Sequence, residues 1–596
     1  MLSRAYKLRF RRRLRMGTRQ MEELSAQAEL HLERNFFRRL ERLLDVRRFV
    51  LGWVLLIVLL TGVAVAQTRS LGSYYQVSVP VAGGTYREGM VGRFTNANPI
   101  YATGLVDSSV SRLVFAGLLT YNNENELAGD LAESWQADER GATYTVQLKP
   151  DLTWHDGEPL TAKDVVFTYS VIKSPDARSP LNTAWRDVGV EADGDRTIIF
   201  KLPNPLASFP YSLTTGIIPE HILGNVAMAD MRSATFNTVE PVGAGPFMWQ
   251  AIQVEGGTDE TRQERIALRP FDTYHGGKPQ LSSFTLYTYR TPERLIDSFA
   301  NQEINAMAGL GNIPETLQDN PAVRAHNLLL TAQVMSFFRT SEGVLSSKEV
   351  RGALVRAADT MSIIRGLPYP TIPVREPLLY GQFGYNPRYA QPGYNRAAAE
   401  QALDEAGWPK GSDGIRQKDG QRLAFNLHTL DTEEYAYVAN QLSQQWREVG
   451  VEARVELEEE STLQNTIAQH AYDALLYGIS IGPDPDVFVY WHSSQADPRL
   501  ASRLNFSEYN SAQADAALAD ARTRGDPALR AAKYEPFLQA WRSDAPALGL
   551  YQPRFLYITR GEVHGLTTNP INSDAQRFTN VENWMVRYAR ETPQYD

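Results

Sequence analysis

The chain has 596 residues, of which 43% are hydrophobic and 22% are charged, as in ordinary globular proteins. At about 100–200 residues per domain, this length corresponds to about three to five compact units. The chain has no cysteine, which excludes disulfides, thiolate metal sites, a cysteine nucleophile and a lipid-modified cysteine anchor. The net charge of −9 is unevenly distributed, because residues 1–48 carry +8 and the rest carries −17. An acidic body of this kind is unsuited to binding nucleic acid.

An uncharged apolar stretch at 49–66, Phe49-Val-Leu-Gly-Trp-Val-Leu-Leu-Ile-Val-Leu-Leu-Thr-Gly-Val-Ala-Val-Ala66, follows Arg47 and Arg48. Its length is near the lower limit for crossing a hydrocarbon core of about 30 Å. The positive-inside rule then predicts a single-pass cell-membrane protein with residues 1–48 as a cytoplasmic tail and the large domain outside the cytoplasm. A cleaved secretory signal is the alternative, since Ala64-Val-Ala66 resembles a cleavage site. We expect a retained anchor, because the basic region is much longer than a normal signal n-region.

The basic tail itself carries apolar residues at helical spacing: Leu24, Ala28, Leu32, Phe36, Leu40 and Leu43. This spacing predicts an amphipathic juxtamembrane helix. Such a helix could dock on anionic lipid or on a partner subunit, or it could serve only as a topology signal.

After the anchor, short strands and helices alternate along the chain. Residues 143–148 alternate as a strand, Asp156-Gly157 indicates a turn, and Thr161 with Asp164 forms a capping-box start to a helix. Further on, Asn395 is placed to cap a helix over 396–406, with Gly407 closing it.

The clearest unit lies between residues 423 and 457. Residues 423–430 alternate as a strand, a helical pattern runs over 433–449, and residues 451–457 alternate again. Gly450 stands where a C-terminal capping glycine belongs. A strand–helix–strand crossover implies parallel strands with helices packed on them, so the predicted class is α/β.

Sequence motifs for catalysis and metal binding are absent. No two of the nine histidines lie within five residues of each other, and there is no Gly-x-Ser-x-Gly elbow. We therefore expect no enzyme activity, no metal and no cofactor.

A series of motifs in a fixed order resembles the extracellular solute-binding proteins of the peptide/nickel class, the receptors of ABC importers for oligopeptides and dipeptides. The motifs are Leu127-Ala-Gly-Asp-Leu-Ala-Glu-Ser-Trp135, Trp154-His-Asp-Gly-Glu-Pro-Leu-Thr-Ala-Lys-Asp-Val-Val-Phe167, Ile218-Pro-Glu-His-Ile-Leu223, Pro241-Val-Gly-Ala-Gly-Pro-Phe247, Tyr274-His-Gly-Gly-Lys-Pro279, Leu403-Asp-Glu-Ala-Gly-Trp408, Pro483-Asp-Pro-Asp486 and Arg577-Phe-Thr-Asn-Val-Glu582. The resemblance covers about residues 80–590.

This resemblance implies an α/β, bilobal periplasmic-binding-protein type II fold with an extra third domain, preceded by one N-terminal transmembrane helix. The expected first lobe combines residues 75–108, 215–308 and 545–596. The extra domain would be 109–214 and the second lobe 309–544. The ligand would lie between lobes that close by a hinge motion.

The resemblance also implies ligand-binding residues in two segments. Tyr101, Thr103 and Leu105 belong to a stretch that lies along a bound peptide, with Thr103 and Leu105 offering main-chain hydrogen bonds. The second segment supplies the remaining expected contacts: Tyr477, Ile479, Ile481, Asp484, Asp486 and Trp491. The alternative is that Asp484 and Asp486 only form a rigid turn, and that Tyr101 and Trp491 belong to the core.

Two positions of the second segment depart from the family pattern. Peptide-binding relatives often carry, at the position of Ile481, an aspartate that pairs with the ligand's α-amino group. Either another acid such as Asp484 takes this role, or the ligand is not a free-amino peptide, because a buried ammonium needs a counter-charge. Gly478 lacks the aromatic side chain often found there, for which Tyr477 or Trp491 would substitute.

The sequence therefore predicts a membrane-tethered receptor that captures a peptide or other small solute and delivers it to ABC permease subunits. The alternatives are a tethered ligand sensor or chaperone-like binding protein of the same fold, and a surface hydrolase.

Overall fold

The structure, a computed structural model, describes residues 47–75, 77–258, 261–497, 499–500 and 503–591. It divides into two units, residues 1–79 with 588–596 and residues 80–587. The juxtamembrane helix predicted in the basic tail lies outside the described residues.

The described helices are α1 (Arg47–Tyr75), α2 (Leu105–Val114), α3 (Ala162–Lys173), α4 (Asn182–Trp185), α5 (Glu220–Leu223), α6 (Pro292–Ala300), α7 (Glu315–Gln318), α8 (Lys348–Ala357), α9 (Thr360–Arg365), α10 (Arg396–Glu405), α11 (Glu433–Glu448), α12 (Glu460–Gln469), α13 (Phe488–Trp491), α14 (Ala512–Ala521) and α15 (Pro527–Asp544).

The described strands are β1 (Val77–Val81), β2 (Thr85–Val91), β3 (Leu119–Tyr121), β4 (Leu127–Gly129), β5 (Ala132–Ala137), β6 (Thr143–Leu148), β7 (Gly189–Asp193), β8 (Thr197–Lys201), β9 (Phe247–Glu255), β10 (Gln263–Pro270), β11 (Ser283–Tyr289), β12 (Ala306–Ala308), β13 (Val323–Leu329), β14 (Ala332–Phe338), β15 (Gln417–Lys418), β16 (Gln421–Arg422), β17 (Ala424–Leu430), β18 (Glu452–Glu458), β19 (Ala474–Ser480), β20 (Ala547–Tyr551), β21 (Arg554–Arg560) and β22 (Arg587–Glu591).

Helix α1 contains the predicted apolar span. Its segment Phe49–Thr68 has a mean hydropathy of 2.7 and no buried residue. Within the part of the chain that the structure describes, it is the one helix long and apolar enough to cross a membrane.

The large unit contains a seven-stranded sheet in the order β13-β21-β12-β2-β11-β10-β9. Strand β2 runs parallel to β11 and β12, and the other pairs are antiparallel. A second, five-stranded sheet has the order β18-β17-β19-β14-β20. These sheets are the bases of the first and second lobes.

The strand–helix–strand unit predicted from the sequence is confirmed in the second lobe. Strands β17 and β18 pair in parallel, with Ala424 opposite Glu452, and α11 connects them. Gly450 has a φ of 89°, a left-handed conformation that glycine adopts without steric cost.

The extra domain is built on an antiparallel four-stranded sheet, β5-β6-β8-β7. Thr161 and Asp164 form the predicted capping box at the start of α3. Val146 and Phe200 of this domain share one apolar core with Phe284 and Tyr557 of the first lobe. The extra domain is therefore packed onto the first lobe.

Two strands lie in sheets other than those implied by the expected lobe boundaries. Strand β13 joins the seven-stranded sheet, although residues 309–544 were expected in the second lobe. Strand β20 joins the five-stranded sheet, although residues 545–596 were expected in the first. Each strand runs directly into a crossing between lobes, and these short crossings carry no composition change that would mark them in the sequence.

Candidate ligand-binding site

The two lobes are joined by two short crossing segments that run side by side. One connects β13 to β14 and the other connects β20 to β21. The Leu330 N–H donates to the Pro553 carbonyl at 2.9 Å, which ties the two segments together. A pair of short connections of this kind can act as a hinge, since a few residues can absorb the rotation of one lobe against the other.

Strand β19 of the second lobe carries main-chain groups with no strand beside them. Strand β14 pairs with the whole length of β19. The parallel strand β17 pairs with β19 only as far as Leu476. The Ile481 N–H donates to the Thr331 carbonyl at 2.9 Å, on the β14 side. Because hydrogen-bonded and non-hydrogen-bonded pairs alternate along an antiparallel ladder, Gly478 and Ser480 direct their main-chain groups to the opposite side. We call the main chain of Gly478 and Ser480 the open edge of β19; no strand among the described residues pairs with it.

The open edge lies where ligands bind in many α/β sheets. The parallel strands β17, β18 and β19 all end there, and ligand sites in such sheets lie outside the carboxyl ends of the strands. Helix α11 begins at the same place, capped by the Thr432 hydroxyl, which accepts from the Tyr435 N–H at 3.3 Å.

Two tyrosines contact the open edge. The Tyr490 hydroxyl donates to the Ser480 carbonyl at 2.8 Å, and burial raises the pKa of Tyr490 to about 12. The Tyr435 hydroxyl lies 2.9 Å from the position that a Cβ of Gly478 would occupy. Burial raises the pKa of Tyr435, and a hydrogen bond with the Gly478 backbone opposes that rise. Tyr435 therefore occupies the space that a side chain at position 478 would need.

One cavity is lined by the open edge itself, and a second is lined by Tyr435, which contacts that edge. The smaller, of about 290 Å³, is lined by Tyr477, Tyr490 and Phe506 together with the main chain at Gly478 and Ser480. The larger, of about 1130 Å³, is lined by Tyr435 and its neighbours in α11 and, from the first lobe, by residues 309–315. The larger cavity therefore has walls from both lobes, which is the position expected for a ligand held between them.

Two of the carboxylates that line the larger cavity, those of Glu433 and Glu434, are hydrogen-bonded within the protein. Glu434 Oε1 accepts from the Tyr369 hydroxyl at 3.0 Å and from the Tyr551 hydroxyl at 2.7 Å. Glu433 Oε2 accepts from Asn312 Nδ2 of the first lobe at 2.9 Å, a contact between the lobes.

The residues of the first predicted segment, 101–105, differ in exposure and in hydrogen bonding. Tyr101 is buried, donates its hydroxyl to the Ala177 carbonyl at 2.8 Å, and has a pKa raised by burial to about 12. Thr103 is exposed and lies in neither helix nor strand. Leu105 begins α2, and its carbonyl accepts the Ser109 hydroxyl at 2.5 Å. Tyr101 is thus a core residue, and the Leu105 carbonyl is used within its own helix.

The second predicted segment divides between cavity and core. Tyr477 lines the smaller cavity, and its hydroxyl accepts from Gln464 Nε2 at 3.2 Å. Ile479 and Ile481 are 3% and 9% exposed and pack in the core of the second lobe. Their main chains face β14, so the groups that point to the open edge belong to Gly478 and Ser480 instead.

Asp484 is held by an arginine rather than left free for a ligand. The Arg530 guanidinium donates to both carboxylate oxygens, at 2.6 and 2.7 Å, and both side chains are buried. Burial alone would lower the Arg530 pKa, but the Asp484 carboxylate outweighs it and raises that pKa.

Asp486 joins the second lobe to the extra domain. Its Oδ2 accepts from the Ser208 hydroxyl at 2.9 Å and pairs with Arg522 at 3.1 Å. A main-chain bond from the Ala207 N–H to the Arg522 carbonyl, at 2.9 Å, lies beside it.

Trp491 is fully buried, with its ring 5.6 Å from that of Trp541 in an edge-on arrangement. It therefore packs in the core of the second lobe. The described residues contain no group of three or more side chains suited to holding a metal ion.

The architecture and the motifs can be compared with known proteins. A family model described as bacterial extracellular solute-binding proteins, family 5, matches residues 126–498. The chain belongs to this family. It is thus a solute-binding protein of the type that captures ligand for an ABC importer.

Relatives of this family-5 solute-binding protein include oligopeptide-binding protein AppA of Bacillus subtilis, 28% identical over 523 residues that cover 85% of this chain and 92% of AppA. The probable D,D-dipeptide-binding periplasmic protein DdpA of Escherichia coli is 24% identical, covering 75% of this chain and 83% of DdpA.

Solved structures share the fold of this family-5 chain. AppA from Bacillus subtilis, in complex with a nonapeptide, matches with a TM-score of 0.68, 28% identity, and coverage of 85% of this chain and 100% of that one. CtaP from Listeria monocytogenes matches with a TM-score of 0.72 at 25% identity, and the match covers 85% of this chain and 99% of CtaP. NikZ from Campylobacter jejuni, in complex with Ni(L-His), gives 0.71 at 23% identity, covering 84% and 99%. The predicted bilobal type II fold is confirmed.

Several residues at the site of this family-5 protein were missed by sequence reasoning. Tyr435 and Tyr490 come from different helices and meet at one strand only in the folded chain. Neither stands in a motif that indicates its contact. Arg530 likewise lies 46 residues from the carboxylate it binds. The glycine at 478 was the single available signal, since it marks close approach of another group.

Proposed function

We propose that this protein binds a peptide between its two lobes and passes it to the permease of an ABC importer. The open edge of β19 carries the proposal: its main-chain groups line the smaller cavity, and Tyr435, which contacts it, lines the larger cavity that has walls from both lobes. A sheet edge binds an extended peptide by adding it as a further strand, and flanking pockets receive its side chains. The names of its relatives AppA and DdpA support the same ligand class.

The ligand's amino terminus is not held by the acid that peptide-binding relatives often use. That position is Ile481, and both neighbouring aspartates are engaged, Asp484 by Arg530 and Asp486 by Ser208 and Arg522. We therefore propose that affinity comes from the ligand's main chain and side chains. A peptide with a blocked amino terminus should bind about as well as its free form.

We assign the predicted contacts different roles within this proposal. Tyr477 forms a wall of the smaller cavity, and Thr103 remains available from the first lobe. Tyr101, Ile479, Ile481 and Trp491 support these surfaces from the core.

We assign residues to the two lobes according to the sheet that their strands join. The first lobe comprises about residues 80–108, 215–329 and 554–587, the extra domain 109–214, and the second lobe about 332–551. Closure of one lobe on the other, through the crossings beside Leu330 and Pro553, would bury the ligand.

We also propose that α1 is a retained membrane anchor with residues 1–48 in the cytoplasm. The helix has the required length and composition, and an anchor keeps a receptor close to its permease, which raises its effective concentration. No catalytic step is part of this function.

Native mass spectrometry of the full-length chain, released from detergent micelles after purification from a rich host, tests the ligand class. We expect co-purified peptides, including ones with blocked amino termini. A protein that retains no peptide and binds none from alanine-based peptides of three to nine residues would contradict the proposal.

Peptide cleavage measured in the same samples separates a receptor from a hydrolase. We expect the added peptides to be recovered intact.

A further inference from the structure

A third cavity lies where the first lobe meets the extra domain. Its volume is about 360 Å³, within the range of about 300–1,000 Å³ that is usual for ligand pockets. Helix α2 forms one wall, and residues in the ranges 117–121, 214–216 and 572–576 form others. We call it the Arg112 cavity, because the Arg112 side chain lines it.

The Arg112 cavity adjoins both segments that the sequence predicts to contact the ligand. Ala102 and Ser108, which line the cavity, flank the middle of the first segment. Asn572 also lines it and accepts the Thr331 hydroxyl at 2.5 Å, and the Thr331 carbonyl accepts the Ile481 N–H of the second segment at 2.9 Å. The family pattern places the ligand's amino terminus at Ile481. The cavity is therefore next to the end of the site that receives the ligand's amino-terminal group.

The lining of this cavity favours an anion. Arg112 is the one charged side chain among the described residues that line it. The uncharged polar side chains of the lining include Ser108, Ser111, Thr120, Thr214, Asn572 and Gln576. The larger cavity has the opposite character, because three glutamates and one arginine line it. A positive charge without a carboxylate beside it attracts an anionic group and repels an ammonium.

Arg112 is held in place by its neighbours and still has donors to offer. Its Nη2 donates to Thr120 Oγ1 at 2.9 Å, and its Nη1 lies 3.6 Å from Asp130 Oδ2, beyond hydrogen-bonding distance. Asp130 is buried outside the lining, and its other oxygen lies 2.6 Å from His275 Nε2. Within the part of the chain that the structure describes, Arg112 Nε and Nη1 make no hydrogen bond, and the side chain is 21% exposed.

We infer that the Arg112 cavity binds a carboxylate at the amino-terminal end of the ligand. The ligand is then a peptide whose α-amino group is blocked by an acidic acyl group. The carboxylate accepts from the free donors of Arg112, a charge-assisted hydrogen bond, and the uncharged polar lining surrounds the rest of the group. The inference rests on the proposed function, because it concerns a peptide between the lobes.

The test compares blocked forms of one peptide, the tightest binder among free alanine-based peptides of three to nine residues. Its N-succinyl, N-succinamoyl and N-acetyl forms are titrated by calorimetry into the full-length protein in detergent micelles. The first two groups are nearly equal in size, but only the succinyl group carries a carboxylate. The succinyl peptide should bind about tenfold more tightly than the succinamoyl peptide, because hydrogen bonds between charged groups are the stronger ones.

Arg112→Gln should reduce this tenfold ratio to about one, since glutamine offers no positive charge. Arg112→Lys keeps the charge without the planar fork and should give a ratio between those two values, which also tests the assignment if the glutamine variant does not fold. The matched control is Arg196→Gln. Arg196 also belongs to the extra domain, and it donates to Glu133 at 2.9 Å and to the Leu148 carbonyl, but it does not line the cavity. Its variant should keep the wild-type ratio.

Succinate alone distinguishes a blocked peptide from a separate small acid. It should bind far more weakly than the succinyl peptide, because it lacks the contacts of the peptide. Binding of succinate as tight as that of the succinyl peptide would overturn the assignment of the carboxylate to a peptide.

The outcomes also separate this inference from the proposed function. If no peptide binds in any form, the proposed function fails and the inference fails with it. If peptides bind but the succinyl and succinamoyl forms have equal affinity, or the ratio is unchanged in both Arg112 variants, the carboxylate site is overturned and the peptide-binding proposal stands.

Discussion

At the scale of single residues, Gly478 shows how a missing side chain can have a structural cause. Its φ is not in the left-handed region, so backbone conformation does not require glycine. A Cβ would instead meet the Tyr435 hydroxyl at 2.9 Å, closer than carbon and oxygen normally approach. Tyr435 thus occupies the space that a side chain at position 478 would need, while Tyr477 lines the smaller cavity and Trp491 lies in the core.

Gly478→Ala should destabilise the fold by about 1–3 kcal/mol, because the added methyl group forces the Tyr435 hydroxyl to move. Combining it with Tyr435→Phe, which removes that hydroxyl, should recover much of the loss. The measurement is a double-mutant cycle of urea unfolding. Gly525→Ala is the matched control, since a Cβ there meets nothing within 4 Å. Additive effects of the two changes would show that they do not interact.

Glu376 is a buried carboxyl group in the second lobe whose charge opposes folding. It is 0% exposed, its Oε2 accepts from the Asn386 N–H at 3.2 Å, and its Oε1 has no partner among the described residues. Burial raises its pKa from 4.5 to about 7, against the lowering effects of that hydrogen bond and of Arg375.

A raised pKa means that the native state binds the proton more tightly than the unfolded chain. The contribution of Glu376 to stability is therefore complete below about pH 4.5 and is lost as the pH rises to about 7. Glu376→Gln should abolish this decline. Above pH 7, the free energy of unfolding of the variant should exceed that of the wild type by about 2–3 kcal/mol. Urea unfolding between pH 4 and pH 8 measures the difference, and parallel curves for the two proteins would contradict it.

At the scale of elements, the site depends on strands and helices of unequal length. Strand β19 extends past the last residue that β17 pairs with, and this difference produces the open edge. Helix α11 begins directly after β17 and brings Tyr435 to that edge in its first turn.

Thr432 caps α11 and so positions Tyr435. Thr432→Ala should lower the free energy of unfolding by about 1 kcal/mol, because the Tyr435 N–H loses its acceptor at the helix start. Peptide affinity should fall at the same time, since the first turn carries the cavity wall. Thr432→Ser keeps the hydroxyl and should behave as the wild type in both urea unfolding and calorimetry. An equal loss in the serine variant would exclude the cap as the cause.

At the scale of the whole large unit, the extra domain contacts both lobes. It shares its core with the first lobe, and through Ser208 and Ala207 it reaches Asp486 and Arg522 of the second. Because the Ser208 and Ala207 contacts join the extra domain to the second lobe, they must break if the second lobe swings away from the extra domain.

Ser208→Ala should favour the open form, because one hydrogen bond to a charged group is lost while the Asp486–Arg522 pair remains. We expect release of a fluorescent alanine-based peptide to accelerate by up to about tenfold in stopped-flow measurements. The radius of gyration of ligand-free protein, measured by X-ray scattering, should also rise. Ser170→Ala removes a hydroxyl that bonds only within α3 and serves as the control. Unchanged release in Ser208→Ala would mean that this contact does not oppose opening.

The sequence by itself determined the features that depend on neighbouring residues. Alternation predicted β17 and β18, capping residues predicted the starts of α3 and α10, and the uncharged run predicted the span in α1. Each of these follows from local backbone chemistry or from periodicity, so residues close in the chain suffice. The ordered motifs also indicated the family, which the comparisons confirm.

Only the tertiary structure decided the lobe crossings and which side chains meet at the site. The partners of Asp484, Asp486 and Gly478 lie far away in the chain, at Arg530, Ser208 and Tyr435. Whether an aspartate is free for a ligand depends on what burial places against it, and no periodicity encodes that contact. The open edge arises in the same way, because it depends on where two separate strands end relative to each other.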